Sequence, residues 1–507
     1  MSAPFTPGRE EGSPAEPDGS RSPAAPRNGD PSILFILGSL VALAALLFGL
    51  RLGGPPNLTD NDQERPAAYV LDALVNGHWA VQRDWTGDIA SKPPLYTWLA
   101  AGLSAAVGRA SLATLYLPCA LALLGAAMLV ALLAHRQLGP RAAWLAGIFL
   151  LANPLAAKLV ALARTDAVFT FTVTLTAWLA FRAWEKGHGW TAAWLAAAAA
   201  TLTKGPVGVV LGFSGLAAWV LERRHGTRSP STIAHWGGLA LWLAVCGGWF
   251  FLAWSATGDA LIDKQLRSEL VDHALGARRS LPGAGLLLTP AYFLTRFQPC
   301  SLLAFWGLGE ALRRPEGDPG ARRLQRFAAF WLLSGLVLFG LAAHQRGDLI
   351  APLMPAGAIL AAIPAARWTG AWTTRRFVVV TGASAVLLAL GMQAQHAWRR
   401  LPVFEQSQGV AAMARGFLDR GGDARQIAHV DTPYALQFHL GTMQSVVTYA
   451  EAAALLGRGE RRYVALTNRA ALLQAFGPES SRLHLVAEWP AGEAATHWIL
   501  ELVPPGR

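Results

Sequence analysis

Apolar runs of about 17–25 residues recur from Ser32 to His396, and this constrains the chain more than any other feature. Only 15% of its 507 residues are charged. Soluble proteins carry nearer a quarter, so most of the chain reads as transmembrane helix. The first run, Ile33–Leu50, follows a 31-residue tail of mixed charge, and "RLGGPP" behind it is a poor cleavage site. It is expected to remain as a first span rather than leave as a signal peptide. Residues 1–31, rich in Pro, Ser, Gly and Ala, are expected to form a disordered cytoplasmic tail.

Basic residues gather in alternate short loops: "HRQLGPR", "RAWEKGHG", "ERRHGTR", "RRPEGDPGARRLQR" and "ARWTGAWTTRR". Periodic Lys and Arg of this kind mark cytoplasmic loops. The net charge of +11 is therefore topological, and a nucleic-acid partner is not expected. Spans are expected near Leu112–Ala134, Ala142–Lys158, Ala167–Trp184, Trp190–Thr203, Pro206–Leu221, Ile233–Trp254, Leu286–Leu308, Phe327–Ala343, Leu349–Ala365 and Phe377–His396. The reading is an all-α polytopic membrane domain, residues 32–396, with about 11–13 transmembrane helices. Two long outer loops cover 51–111 and 255–285. Within the first, Pro94–Gly108 is short for a span and is expected to lie along the outer surface. The second mixes apolar residues with both signs of charge, suiting either a mobile cover or a surface helix.

After His396 short β-branched runs alternate with helical ones. Residues 397–507 are expected to form a soluble extracytoplasmic α/β domain. Cys119, Cys246 and Cys300 lie in or beside apolar segments without metal-ligand spacing and read as buried packing.

This topology brings many charged side chains to the outer face. Four acids, Asp60, Asp62, Glu64 and Asp72, follow the first span directly, and carboxylates beside lipid usually have a task. Asp72, ten residues beyond Asp62, reads as a solvated-face residue. Arg65, Lys92, Arg164, Asp166, Lys204, Arg346 and Asp348 join the same face. Cations there suit a lipid-linked phosphate, and a carboxylate suits the proton of an acceptor hydroxyl. Lys92 either snorkels or contacts phosphate from the rigid mount of Pro93 and Pro94. Asp166 caps its helix, unless Thr165 does so and frees it.

The ordered set "DQER" (Asp62–Arg65), "NGHW" (Asn76–Trp79), "SKPPLYTW" (Ser91–Trp98), "LARTD" (Leu162–Asp166), "LTKGP" (Leu202–Pro206) and "RGDLIAPLMPA" (Arg346–Ala356) resembles a known family. It is similar to the bacterial polyprenyl-phosphate-sugar glycosyltransferases of the glycosyltransferase-C fold. These include the lipid A aminoarabinose transferase and, more distantly, the protein mannosyltransferases. The resemblance covers residues 33 to about 365.

It implies a polyprenyl-phosphate-linked sugar donor, a cell-envelope acceptor and a bacterial inner membrane. Asp62 would be the catalytic carboxylate and Asp166 the second acidic position. Lys92 would contact the lipid phosphate, with Arg164, Lys204 and Arg346 as further phosphate-binding candidates. Asp60, Glu64 and Arg65 would support the acceptor side. The chain departs from the family at Leu349 and Met354, where an aromatic hydroxyl is usual. A divalent metal stays an option through Asp60, Asp62 and Asp166, with no obligate cage. The rival reading is a transporter or flippase of an amphipathic solute, which would favour internal repeats and midplane charge.

Overall fold

The computed structural model describes residues 30–54, 58, 61–272, 284–492 and 495–503. The tail reading covers residues 1–31, of which 1–29 lie outside the described residues, as does Asp60; Asp30 pairs with Arg141 at 3.1 Å.

Helix α1 (Ile33–Leu52) starts at Ser32, whose hydroxyl accepts from the Phe35 N–H, satisfying one of the orphan donors at a helix start. The first outer loop carries α2 (Asn61–Val75) and then the short α3 (Leu95–Val107). The next helices are α4 (Leu112–Leu138), α5 (Pro140–Leu151), α6 (Pro154–Leu159), α7 (Thr165–Lys186) and α8 (Trp190–Lys204). After α9 (Val207–Phe213), a 3-10 turn and α10 (Trp219–Glu222), the long α11 (Ala234–Thr257) leads to α12 (Asp259–Leu261) and a π-helix, Ile262–Asp272. Four more helices complete the membrane domain: α13 (Ala284–Arg296), α14 (Ser301–Arg313), α15 (Pro319–Leu341) and α16 (Met354–Trp368). Then α17 (Thr374–Arg399) leads out of it.

Seven described helical stretches are long and apolar enough to cross a membrane. Several expected spans, one of the seven among them, are interrupted: 206–221 by the 3-10 turn Ser214–Ala218, and three others beside prolines. Residues 142–158 divide at Asn153, whose side chain accepts from Ala156 N–H, with Pro154 opening α6. The run 286–308 divides between α13 and α14 at Pro299, which has no N–H to donate. The segment 349–365 begins as a 3-10 turn, Gly347–Leu353, containing Pro352.

Helix α16 is almost wholly buried and forms the centre of the bundle, packed by α5, α14 and α15. Small residues permit this. A side-chain carbon added at Gly307 of α14 would meet the Leu360 carbonyl oxygen at 2.1 Å, so the two backbones cross closely there. In contrast, α11 exposes Trp236, Leu243, Phe251 and Leu252. Apolar surface of that kind belongs against lipid. All three cysteines are buried free thiols.

The C-terminal domain starts with α18 (Leu401–Asp419) and holds a four-stranded sheet in the order β1-β2-β4-β3. Strand β1 (Ile427–His429) runs parallel to β2 (Tyr463–Leu466), with Ile427 opposite Tyr463. The crossover between them carries α19 (Tyr434–Leu440) and α20 (Tyr449–Gly457). After α21 (Arg469–Phe476), β3 (Leu483–Trp489) pairs antiparallel with β4 (His497–Leu502), which also pairs antiparallel with β2.

Candidate active site

Three chain breaks bring charged residues together at one end of the bundle. Helix α7 begins after Arg164, and no side chain caps it. Neither Asp166 nor Thr165 is therefore a cap. Asp166, in the first turn, is 2% exposed, and its Oδ1 accepts from Lys204 Nζ at 2.5 Å. Lys204 is the last residue of α8, stopped by Gly205 (φ +89°), a conformation glycine adopts without strain, and by Pro206. The 3-10 turn Gly347–Leu353 supplies Asp348 and, just before it, Arg346.

Arg164 bridges the two carboxylates. Its Nε lies 3.3 Å from Asp166 Oδ2 and its Nη1 lies 3.3 Å from Asp348 Oδ2. Lys158, near the end of α6, reaches the same Asp348 oxygen at 2.6 Å. Arg346 adds positive charge that acts on Asp166. The result is a lattice in the order Lys158, Asp348, Arg164, Asp166, Lys204. Asp166 Oδ2 has no aligned hydrogen-bond donor among the described residues, so its link to Arg164 is one of charge rather than a directed bond. The carboxylates are enclosed, at 2% and 8% side-chain exposure, whereas Lys204 and Arg164 keep 16% and Lys158 22%. The accessible part of the lattice is thus cationic, which suits an anionic group.

Lys92 sits in the first outer loop, ahead of Pro93, Pro94 and α3. Leu95 packs against the Leu202 cluster near the end of α8, so Lys92 and Lys204 are carried on neighbouring elements. The backbone before Lys92 is tied down from outside. Gln265 Nε2 of the π-helix donates to the carbonyls of Ala90 at 2.9 Å and Lys92 at 3.4 Å, and Lys264 pairs with Asp88 at 3.1 Å. The described part of the second loop is α12 followed by the π-helix; residues 273–283 lie outside the described residues.

Asp62 occupies the first turn of α2, and its side chain lies outside the described residues. Glu64 and Arg65 turn to other partners. The Glu64 carboxylate accepts from the Ala435 N–H of α19 at 3.0 Å. Arg65 pairs with the buried Asp84 at 3.2 Å. Asp84 Oδ1 also accepts from Thr86 N–H, Thr86 hydroxyl and Asp88 N–H. Asp72 corrects the sequence reading. It is 1% exposed and accepts from Arg83 N–H at 2.7 Å and Asn76 Nδ2 at 2.8 Å, so it organises the loop instead of facing solvent. In sequence Lys158 reads only as the end of a span, and Asp84 only as one more acid in the loop between α2 and α3. Asp348, expected on the same face as Arg164, pairs with both Lys158 and Arg164. Among the described residues no group of three or more His, Cys, Asp or Glu is arranged to hold a metal ion.

Residues 91–251, which include Lys92, Arg164, Asp166 and Lys204, match the family model described as dolichyl-phosphate-mannose-protein mannosyltransferase. A comparison with curated proteins found no match. Among solved structures, ArnT from Cupriavidus metallidurans bound to undecaprenyl phosphate superposes with a TM-score of 0.67 at 18% identity, covering 93% of this chain and 98% of that one. Its apo form gives 0.66 at 16% identity over the same shares. The chain has the glycosyltransferase-C fold. In that fold as seen here, the start of α7, the end of α8 and the 3-10 turn meet at one end of the helix bundle. The archaeal oligosaccharyltransferase AglB from Archaeoglobus fulgidus also aligns, at a TM-score of 0.47 and 12% identity, over 91% of this chain and 75% of that one.

Proposed function

We propose that this multi-pass membrane protein transfers a sugar from a polyprenyl-phosphate donor to a hydroxyl of a cell-envelope acceptor, at the outer face of a bacterial inner membrane. The observation that carries this reading is the lattice around Asp166 and Asp348, whose exposed parts are Lys158, Arg164 and Lys204. The superposition with a solved structure that holds undecaprenyl phosphate supports the donor class.

In this reading Lys92, with Lys204, Arg164 and Arg346, binds the donor phosphate. Asp166 and Asp348 keep those cations in place and lower the cost of collecting like charges. Asp62 takes the proton of the acceptor hydroxyl. The acceptor oxygen forms a bond to the anomeric carbon from the side opposite the phosphate. The bond from that carbon to the phosphate oxygen breaks, and the electron pair leaves with polyprenyl phosphate, stabilised by the cations. The anomeric configuration inverts. Asp60 and Arg65 support the acceptor side. Asp166, offered by the sequence as a metal ligand, is paired with Lys204 and Arg164 instead, a cationic setting that does not fit a divalent metal. The amino terminus faces the cytoplasm and the C-terminal domain lies outside.

The test is reconstitution of the full chain in liposomes with a panel of polyprenyl-phosphate sugars and envelope acceptors, followed by mass spectrometry. A glycosylated acceptor and free polyprenyl phosphate are expected. Movement of the donor across the bilayer without transfer would replace this reading with a flippase.

A further inference from the structure

The C-terminal domain holds the first outer loop at points on both sides of the turn that carries Asp62. Before it, Leu58 N–H donates to Ser407 Oγ of α18 at 3.1 Å in a buried setting. After it, Glu64 accepts from the first turn of α19 at 3.0 Å, also buried. Further along the loop, the Trp85 ring stacks on Tyr434 of α19 with centroids 4.9 Å apart, and the Trp85 carbonyl accepts from Val446 N–H at 3.0 Å. The Tyr434 phenol also lies in the field of Asp84, Arg65, Glu64 and Asp88. Residues 58 and 64 are six positions apart and are fixed to a body far away in the sequence. Contacts at Leu58, Glu64 and Trp85 oppose a shift of α2, and displacement of a reacting group by about 1 Å can cost on the order of a hundredfold in rate.

We infer that the C-terminal domain is a positioning element of the reaction site: Ser407, Ala435 and Tyr434, through Leu58, Glu64 and Trp85, set where the backbone of α2 stands. This rests on the transfer reading above. It gives the soluble domain work in the chemical step, beyond being displayed outside the membrane.

The experiment compares the double variant Ser407→Ala/Tyr434→Ala with the conservative pair Ser407→Thr/Tyr434→Phe. The conservative pair keeps a hydroxyl acceptor for Leu58 and a ring against Trp85. Each full-length protein is assayed for kcat and donor KM, with a thermal melt beside it. The alanine pair should lose roughly ten- to a hundredfold in kcat, with donor KM and melting temperature little changed. The conservative pair should stay within about threefold of the unsubstituted protein. An alanine pair with undiminished kcat would overturn the inference. So would a kcat loss that follows a fall in melting temperature and is not restored by the conservative pair. Asp62→Asn run in parallel separates the two levels. If that variant is fully active, the assignment of Asp62 itself fails, whatever the alanine pair does.

Discussion

One oxygen of Asp348 joins Lys158 to Arg164. Oδ2 accepts from Lys158 Nζ at 2.6 Å and lies 3.3 Å from Arg164 Nη1. Asp348 is 190 residues from Lys158 and 184 from Arg164, so three separate elements depend on one side chain.

Asp348→Ala should therefore do two kinds of harm. Breaking a buried pair by removing one partner typically costs about 3–5 kcal/mol, so the melting temperature should fall clearly. Arg164, freed on one side, should also bind the donor phosphate less well and raise donor KM about tenfold. Asp348→Asn keeps an acceptor oxygen and should fall between. Melts and donor titrations on purified protein check both.

Asp166→Asn should remove the charge that holds Lys204 at 2.5 Å while leaving an oxygen to accept from it. Transfer should drop by about a hundredfold or more, with a smaller loss of stability than in Asp166→Ala. A rate within twofold of the unsubstituted protein would leave Asp166 without a part in transfer.

Lys92→Ala should weaken donor use, visible as a rise in donor KM of roughly tenfold or more with full-length polyprenyl donors. Lys92→Arg should recover part of it. Asp62→Asn, by contrast, should abolish turnover while donor binding persists, because a base acts on the acceptor's proton. Steady-state kinetics beside a donor-binding assay separate the two, and an unchanged donor KM in Lys92→Ala would argue against phosphate contact.

Acid should loosen the C-terminal domain. Burial, helped by Arg461, lowers His429 from its usual 6.5 to about 3, and burial, helped by Arg415, lowers His439 to about 4. Neither His429 ring nitrogen has a hydrogen-bond partner among the described residues. Both stay neutral when folded and take a proton when unfolded, so below pH 6.5 the unfolded state binds more protons and stability falls with pH. Each histidine contributes a slope of about 1.4 kcal/mol per pH unit between 6.5 and its folded value. Melts from pH 7 to 5 should show the decline, and His429→Leu should make it shallower.

The helices α1, α4, α7, α8, α11 and α17 were readable within a few residues, because a run of apolar side chains with a capping or breaking residue at its ends needs only near neighbours to declare itself. The α/β character of the last hundred or so residues was readable for the same reason. The alternating basic loops put Arg164, Asp166, Lys204 and Asp348 on one side, and the structure joins these four in one lattice.

What tertiary structure alone decided was partnership. In sequence, Asp72 looked like one more acid on a polar helix side, yet the fold buries it under Arg83 and Asn76. Glu64 stood next to the expected site, and a backbone amide 371 residues away donates to it. Lys158 looked like the end of a span and is the outermost cation of the lattice. Hydropathy and charge sidedness determine which face a residue reaches. Which opposite charge it meets there depends on how the helices pack, and no local stretch of sequence contains that distance.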